Sequence, residues 1–182
     1  MVKLHLGCGK RYIPGFVHID LVDYEHIDYH NSVDDLSLFE DNSVDLIYTC
    51  HVLEHFHRNR IPTVLNEWYR VLKINGTLRI SVPDFGQLVK VYHKYKDIKL
   101  IQGALLGGQT YLYNFHNMIF DSTSLNQYLQ DAGFDFVNRY DWRNTEHAHI
   151  DDFSQAYIPH MDKENGIMIS LNIEAIKGGK KC

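Results

Sequence analysis

The sequence predicts a layered α/β domain built on a largely parallel sheet, and three observations carry that expectation. Short apolar, β-rich runs stop at glycine or at an acid; an amphipathic helix stands between two of them; and strand-like and helix-like stretches alternate through the first half of the chain. The 182 residues, 45% hydrophobic and 23% charged, hold enough apolar material for one buried core and too little for two. A single domain over 1–182 is therefore expected.

Val2 to Leu6 is an apolar run that stops at Gly7-Cys8-Gly9, the pattern of a buried strand ending in a tight turn. Phe16 to Leu21 repeats it and carries an acid, Asp20, at its end. Val44 to Cys50 follows the turn-forming Glu40-Asp41-Asn42-Ser43 and leads into HVLEH at 51–55, which reads as strand then helix. Between Ile61 and Lys73 the apolar residues Ile61, Val64, Leu65, Trp68, Val71 and Leu72 fall at three- and four-residue spacing, with Asn75-Gly76 as the stop. Thr77 to Val82 reads as a strand halted by Pro83-Asp84, and Gln87 to Lys96 as a further helix. Residues 97–120 scatter Gly103, Gly107 and Gly108 among aromatics, the composition of a loop or lid. Ser122 to Ala132 reads as a helix stopped by Gly133, before strand-like runs at Phe134 to Trp142 and Gly166 to Ile176. With no long helix between them, these last two are expected to pair antiparallel at an edge.

Lys plus Arg total 18 against 23 Asp plus Glu, a formal charge of −5, so no global attraction to phosphate backbones or anionic membranes exists. No run approaches the roughly 18 apolar residues that span a bilayer, and no signal-peptide core follows Met1-Val2-Lys3. The expected compartment is the cytoplasm. Cys8, Cys50 and Cys182 are an odd number at wide spacing, which suits a reducing compartment and is no disulfide framework. The basic, aromatic-interleaved stretch Lys90 to Lys96 is the one local invitation to nucleic acid, and a solvated helix face explains it better.

The glycine turn after the first strand lets a ligand approach the backbone, whose exposed amides suit anionic or carbonyl groups. Asp20, at the end of the next strand, stands where α/β nucleotide sites place an acid on ribose hydroxyls. There is no third glycine of GxGxxG, Asp20 follows Gly9 too closely for a dinucleotide fingerprint, and there is no GxxxxGK[ST] segment. NAD and a P-loop nucleotide are thereby disfavoured.

LHLGCGK (4–10), VHID (17–20), LFEDNSVDLIYTCHVLEHF (38–56), EWYRVLKINGTLRISVPDF (67–85) and LNQYLQDAGF (125–134) together resemble the class I S-adenosylmethionine-dependent methyltransferases, most closely the small methyltransferase-11-like group. The resemblance implies a Rossmann-like seven-stranded, mostly parallel sheet with an antiparallel last strand and helices on both faces. It implies S-adenosyl-L-methionine as cofactor and S-adenosyl-L-homocysteine as product. Gly7, Cys8 and Gly9 would face the methionyl part and ribose, with Lys10 beside them, and Asp20 and Leu21 would meet the ribose hydroxyls. Asp34, Asp35 and Leu36 would hold the adenine, give or take one residue, and His51 would face the methionyl group. Two departures stand out. Only Cys8 to Phe16 separates the first two strands, so the first helix is shortened or missing. The acid many class I enzymes carry before their glycines is replaced by His5-Leu6.

Methyl transfer from a sulfonium needs an aligned acceptor, and a hydroxyl acceptor also benefits from a base. His55, Asp84 and His116 are the candidates, all at or beyond the carboxyl edge of the predicted sheet. Tyr113 and Asn114 beside His116, together with His149, Asp152 and Tyr157, are expected on the acceptor side, which assigns 97–120 and 143–165 to acceptor loops. The expected function is methyl transfer to a small-molecule or saccharide (glycan-type) acceptor at oxygen, without membrane or nucleic-acid partner. A catalytically silent cofactor-binding or scaffold protein is the alternative. A metal-dependent hydrolase using His147-Ala148-His149-Ile150-Asp151-Asp152 is weaker, because it leaves the glycine and HVLEH blocks unexplained, and no metal is expected.

Overall fold

The amino-terminal apolar run becomes strand β1 (Lys3–Leu6) in the computed structural model, which describes residues 1–179. Strands β2 (Val17–Asp20), β3 (Tyr29–His30), β4 (Val44–Cys50) and β5 (Leu72–Pro83) follow, then β6 (Phe134–Arg139), the short pair β7 (Tyr157–Ile158) and β8 (Ile167–Met168), and β9 (Ser170–Lys177). Seven of them form one sheet in the order β3-β2-β1-β4-β5-β9-β6, in which only the contacts of β9 with β5 and β6 are antiparallel. β7 and β8 make a separate antiparallel hairpin. The expected fold class is therefore observed, with the run at 166–176 broken at Ile169 between the hairpin and the main sheet.

Helices α1 (Ile61–Val71), α2 (Phe85–Tyr95), α3 (Lys99–Leu106) and α4 (Ser122–Asp131) complete the regular structure. Pro62 occupies the first turn of α1, where a missing N–H costs nothing, and Trp68 is wholly buried with its indole N–H donating to Val33 O at 2.8 Å. The helix stops at Val71, before the expected Asn75-Gly76, because Leu72 already pairs with Val44 of β4. α3 occupies part of the stretch read as a lid: Ile101, Ala104 and Leu105 pack against Leu88 and Val91 of α2, which outweighs the cost of Gly103. Conversely, HVLEH forms only a 3-10 turn at Leu53–His55, because His51 adopts a left-handed backbone conformation (φ 55°). Between β1 and β2 the described residues form turns and no helix, as expected.

Strand alternation sorts the two faces of the sheet. On one face, Leu4, Ile47, Leu78 and Ala175 lie side by side in register, and with Leu6, Ile80 and Ile173 they form the main core beneath α1 and α4. The other face carries a polar row in register across five strands, His18, His5, Tyr48, Arg79 and Glu174. Over it runs the segment 140–156, whose short 3-10 turns at Trp142–Asn144 and Phe153–Gln155 replace long helices. His147 packs on Tyr48 (ring centroids 4.1 Å), and Glu146 pairs with Arg79 at 2.7 Å. The basic stretch Lys90 to Lys96 lies on α2, with all of its charged side chains exposed and Val91 buried. No described helix is long and apolar enough to cross a membrane. Lys180, Lys181 and Cys182 lie outside the described residues.

Candidate functional site

A cavity of about 1360 Å³ opens at the carboxyl edge of the sheet, between the β1 turn, α3 with the loop 107–117 that follows it, and the segment 151–161. It exceeds the roughly 300–1,000 Å³ of a single-ligand pocket, so a cofactor and an acceptor fit together.

At one end stands the glycine turn. Gly7 has φ +64° and donates its amide to Ile19 O at 2.8 Å, which couples the ends of β1 and β2. A Cβ added there would stand 2.3 Å from Val52 Cγ2, so the position admits glycine alone. The Asp20 carboxylate accepts the Gly9 amide on Oδ2 and the Val22 amide on Oδ1, both at 2.8 Å. Gly7, Cys8, Gly9, Asp20 and Leu21 all line the cavity. Lys10 is exposed and outside it. The buried Cys8 thiol is pushed up to about 12, first by loss of solvent and then by the nearby Asp20 carboxylate, so it is an inert wall.

Of the three residues expected at the adenine, only Asp34 lines the cavity. Ser32, Val33 and Asp34 line the cavity, whereas Asp35 caps Ser37 N away from it and Leu36 is buried in the core. Asp34 is held by Arg60 at 2.6 Å and accepts the Ser32 hydroxyl.

At the other end lies a cluster of histidines. His55 Nδ1 donates to Phe115 O and His116 Nδ1 to Ala104 O, each at 2.9 Å, because a carbonyl only accepts. In both neutral rings Nε2 is then the nitrogen with the free lone pair. His51 Nε2 donates to Ser170 Oγ at 2.9 Å, since that hydroxyl spends its own proton on Phe153 O. Burial pulls the imidazoles down, His51 to about 3 and His116 to about 4, with the neighbouring histidines adding to it. Glu54, absent from the sequence-based candidates, lies among them with 1% of its surface exposed. Neither of its carboxyl oxygens has a hydrogen-bond partner, and burial pushes the group up to about 8. The loop over this end is fastened by Asn117 N and Met118 N donating to Glu54 O and by the Asn117 amide donating to His55 O.

Asp84 is a correction. It lies outside the cavity, 3% exposed, where it caps α2 through Gln87 N and pairs with Arg139 at 3.2 Å. Its position after a strand and before a helix selected it for capping. Tyr113 and Asn114 line the cavity, and Asn114 also fastens its loop by accepting Gly108 N and donating to Thr110 Oγ1. Tyr157 and Asp152 line it too, but both carboxylate oxygens of Asp152 are occupied, by Tyr48 OH and by Ser154. His149 is exposed and outside the cavity, while His147 is the buried member of that pair. The HAHIDD residues accordingly diverge and form no ligand cluster among the described residues.

Comparison with known proteins bears on the fold. A sequence family described as a methyltransferase domain matches residues 16–80. No curated protein matches the chain in sequence. An S-adenosylmethionine-dependent methyltransferase of Methanosarcina mazei shares the fold with TM-score 0.61 at 18% identity, over 97% of this chain and 92% of that one. One from Archaeoglobus fulgidus does so with TM-score 0.59 at 16% identity, over 96% and 85%. The Burkholderia thailandensis 1,6-didemethyltoxoflavin-N1-methyltransferase, solved with 1,6-didemethyltoxoflavin and S-adenosylhomocysteine bound, gives TM-score 0.58 at 16% identity, over 98% and 71%. By its fold and by the methyltransferase domain matched over residues 16–80, this chain is similar to the class I S-adenosylmethionine-dependent methyltransferases.

Proposed function

We propose that the protein transfers a methyl group from S-adenosylmethionine to the hydroxyl of a small polar molecule, of which a saccharide is one form. The observation that carries this reading is the single cavity that joins the Gly7–Gly9 turn to the His55–His116 pair. Gly7, Cys8 and Gly9 receive the methionyl part and ribose; Asp20 keeps lone pairs for the ribose hydroxyls; Ser32, Val33 and Asp34 take the adenine; and His51 closes the methionyl end. The acceptor lies beneath the loop 107–117, near Tyr113 and Tyr157, with its hydroxyl toward His55 and His116. Two imidazoles lining the cavity suit an oxygen that loses its proton during transfer. The 182 residues act as one domain, in the cytoplasm, with 97–120 and 143–165 forming the acceptor side.

Calorimetric titration with S-adenosylmethionine and S-adenosylhomocysteine, NAD serving as control, tests the cofactor half. Saturable one-site binding of the adenosyl ligands is expected. Incubation with hydroxylated and amino acceptors, read by mass spectrometry, tests the other half. O-methyl products are expected; the Burkholderia enzyme is named for methylation at a nitrogen, and an N-methyl product alone here would overturn the oxygen assignment.

A further inference from the structure

We infer that Glu54, His55 and His116 form a binding site for a divalent transition-metal ion at the acceptor end of the cavity. The inference rests on the methyl-transfer reading only for its consequence, since the site itself stands on geometry. One ligand atom from each of the three residues lies within 4.8 Å of the other two. Ligand atoms at about 2.1 Å from one ion lie at most about 4.2 Å apart, so a small side-chain rotation closes the set.

Three further observations make this a built site. The Glu54 side chain is 1% exposed and neither oxygen has a hydrogen-bond partner, the condition of a carboxylate whose counter-charge is missing. Its Oε1 lies 3.3 Å from His51 Nδ1, without hydrogen-bond alignment, and 3.9 Å from His116 Nε2. The rings of His55 and His116 are each fixed by an Nδ1–H bond to a backbone carbonyl, the outer-shell arrangement that presents Nε2 to a metal. His51 is likewise committed through Nε2 to Ser170, which leaves the Nδ1 lone pair beside the carboxylate as a further ligand atom for an ion. Two imidazoles and one carboxylate select zinc, manganese or iron over magnesium and calcium, which take all-oxygen shells.

Three protein ligands leave adjacent positions open, so the ion can hold an acceptor through its hydroxyl and a neighbouring oxygen, as in a vicinal diol or an α-hydroxy acid. Bound there, the hydroxyl loses its proton to solvent. The alkoxide lone pair forms the O–CH₃ bond while the C–S bond breaks and its electrons return to sulfur, which yields S-adenosylhomocysteine.

The test uses untagged full-length protein, stripped with chelator and titrated separately with Zn²⁺, Mn²⁺ and Mg²⁺, with S-adenosylhomocysteine affinity measured in parallel. One equivalent of Zn²⁺ or Mn²⁺ is expected, with little uptake of Mg²⁺. Glu54→Gln and His116→Asn should each weaken that binding by roughly a hundredfold or more, without change in S-adenosylhomocysteine affinity or circular dichroism. His93→Ala, on the exposed face of α2, should bind as the wild type does. Normal S-adenosylhomocysteine binding with no uptake of Zn²⁺ or Mn²⁺ would overturn the metal site and leave the methyltransferase reading intact. Uptake by Glu54→Gln equal to wild type would overturn it as well. Wild-type uptake lost in both variants, with no S-adenosylhomocysteine binding by any of them, would uphold the ion site and overturn the methyl-transfer reading instead.

Discussion

The backbone amide of Gly9 donates to Oδ2 of Asp20 at 2.8 Å, so the turn after β1 and the end of β2 form one unit before any ligand arrives. The acid expected on ribose hydroxyls is thus also the clamp that shapes the turn expected on the methionyl group. Asp20→Asn leaves one acceptor oxygen for two amides and removes the charge. It is expected to cost about 1–3 kcal/mol of stability and to weaken S-adenosylhomocysteine binding by roughly tenfold or more. Urea denaturation and calorimetry measure the two effects separately. Unchanged affinity would count against the ribose placement.

Gly7 faces Val52 across the start of the cavity, and its substitution combines two penalties. Gly7→Ala forces a Cβ within 2.3 Å of Val52 Cγ2 and puts alanine at φ +64°. The left-handed conformation alone costs about 1–2 kcal/mol. Adding Val52→Ala relieves the clash and not the backbone term. A double-mutant cycle by urea denaturation should show favourable coupling between the two changes. Strict additivity would mean that the turn moves away from Val52.

What the sequence made legible follows strength of pattern. β1, β2, β4 and α1 were readable because each buries an apolar set with a clear period and ends at a turn residue. β3 is two exposed residues, Tyr29–His30, too short to leave a signal. The α3 helix hid behind Gly103 and its aromatic neighbours, since only tertiary packing on Leu88 and Val91 makes it stable. The glycine turn, Asp20 and the two histidines, singled out from residue type and position, all line the cavity, whereas Glu54, buried beside the histidines, was passed over. A glutamate beside histidines reads as a solvated charge until the loop 115–118, some sixty residues on, folds over it. Asp84 failed the other way: an acid after a strand signals a helix cap as strongly as it signals catalysis.

Asp84 provides a further prediction because its partners are structural. Asp84→Asn keeps an oxygen for Gln87 N and loses the charge that pairs with Arg139. A destabilisation of about 1–3 kcal/mol is expected, with S-adenosylhomocysteine affinity unchanged. Loss of cofactor affinity in the folded variant would place Asp84 back among the functional residues.

The polar face of the sheet makes stability depend on pH. His5 is 2% exposed, its Nδ1 has no hydrogen-bond partner, and it is enclosed by His18 and Tyr48 with His147 above. Burial, with the nearby His18, His147, Arg11 and His26, holds its imidazole well below the ordinary 6.5. The unfolded chain therefore takes up a proton at this residue below pH 6.5 while the folded chain does not. Stability contributed by the neutral ring is complete above that pH and falls as pH drops toward the folded value. Thermal denaturation between pH 8 and pH 5 should show a decline that steepens below about 6.5. His5→Phe keeps the ring on Tyr48 and Phe16 and removes the titrating group, so its curve should be flatter over the same window. A variant as acid-sensitive as the wild type would assign the loss to other buried histidines, of which His147, also held low by burial, is the first to replace.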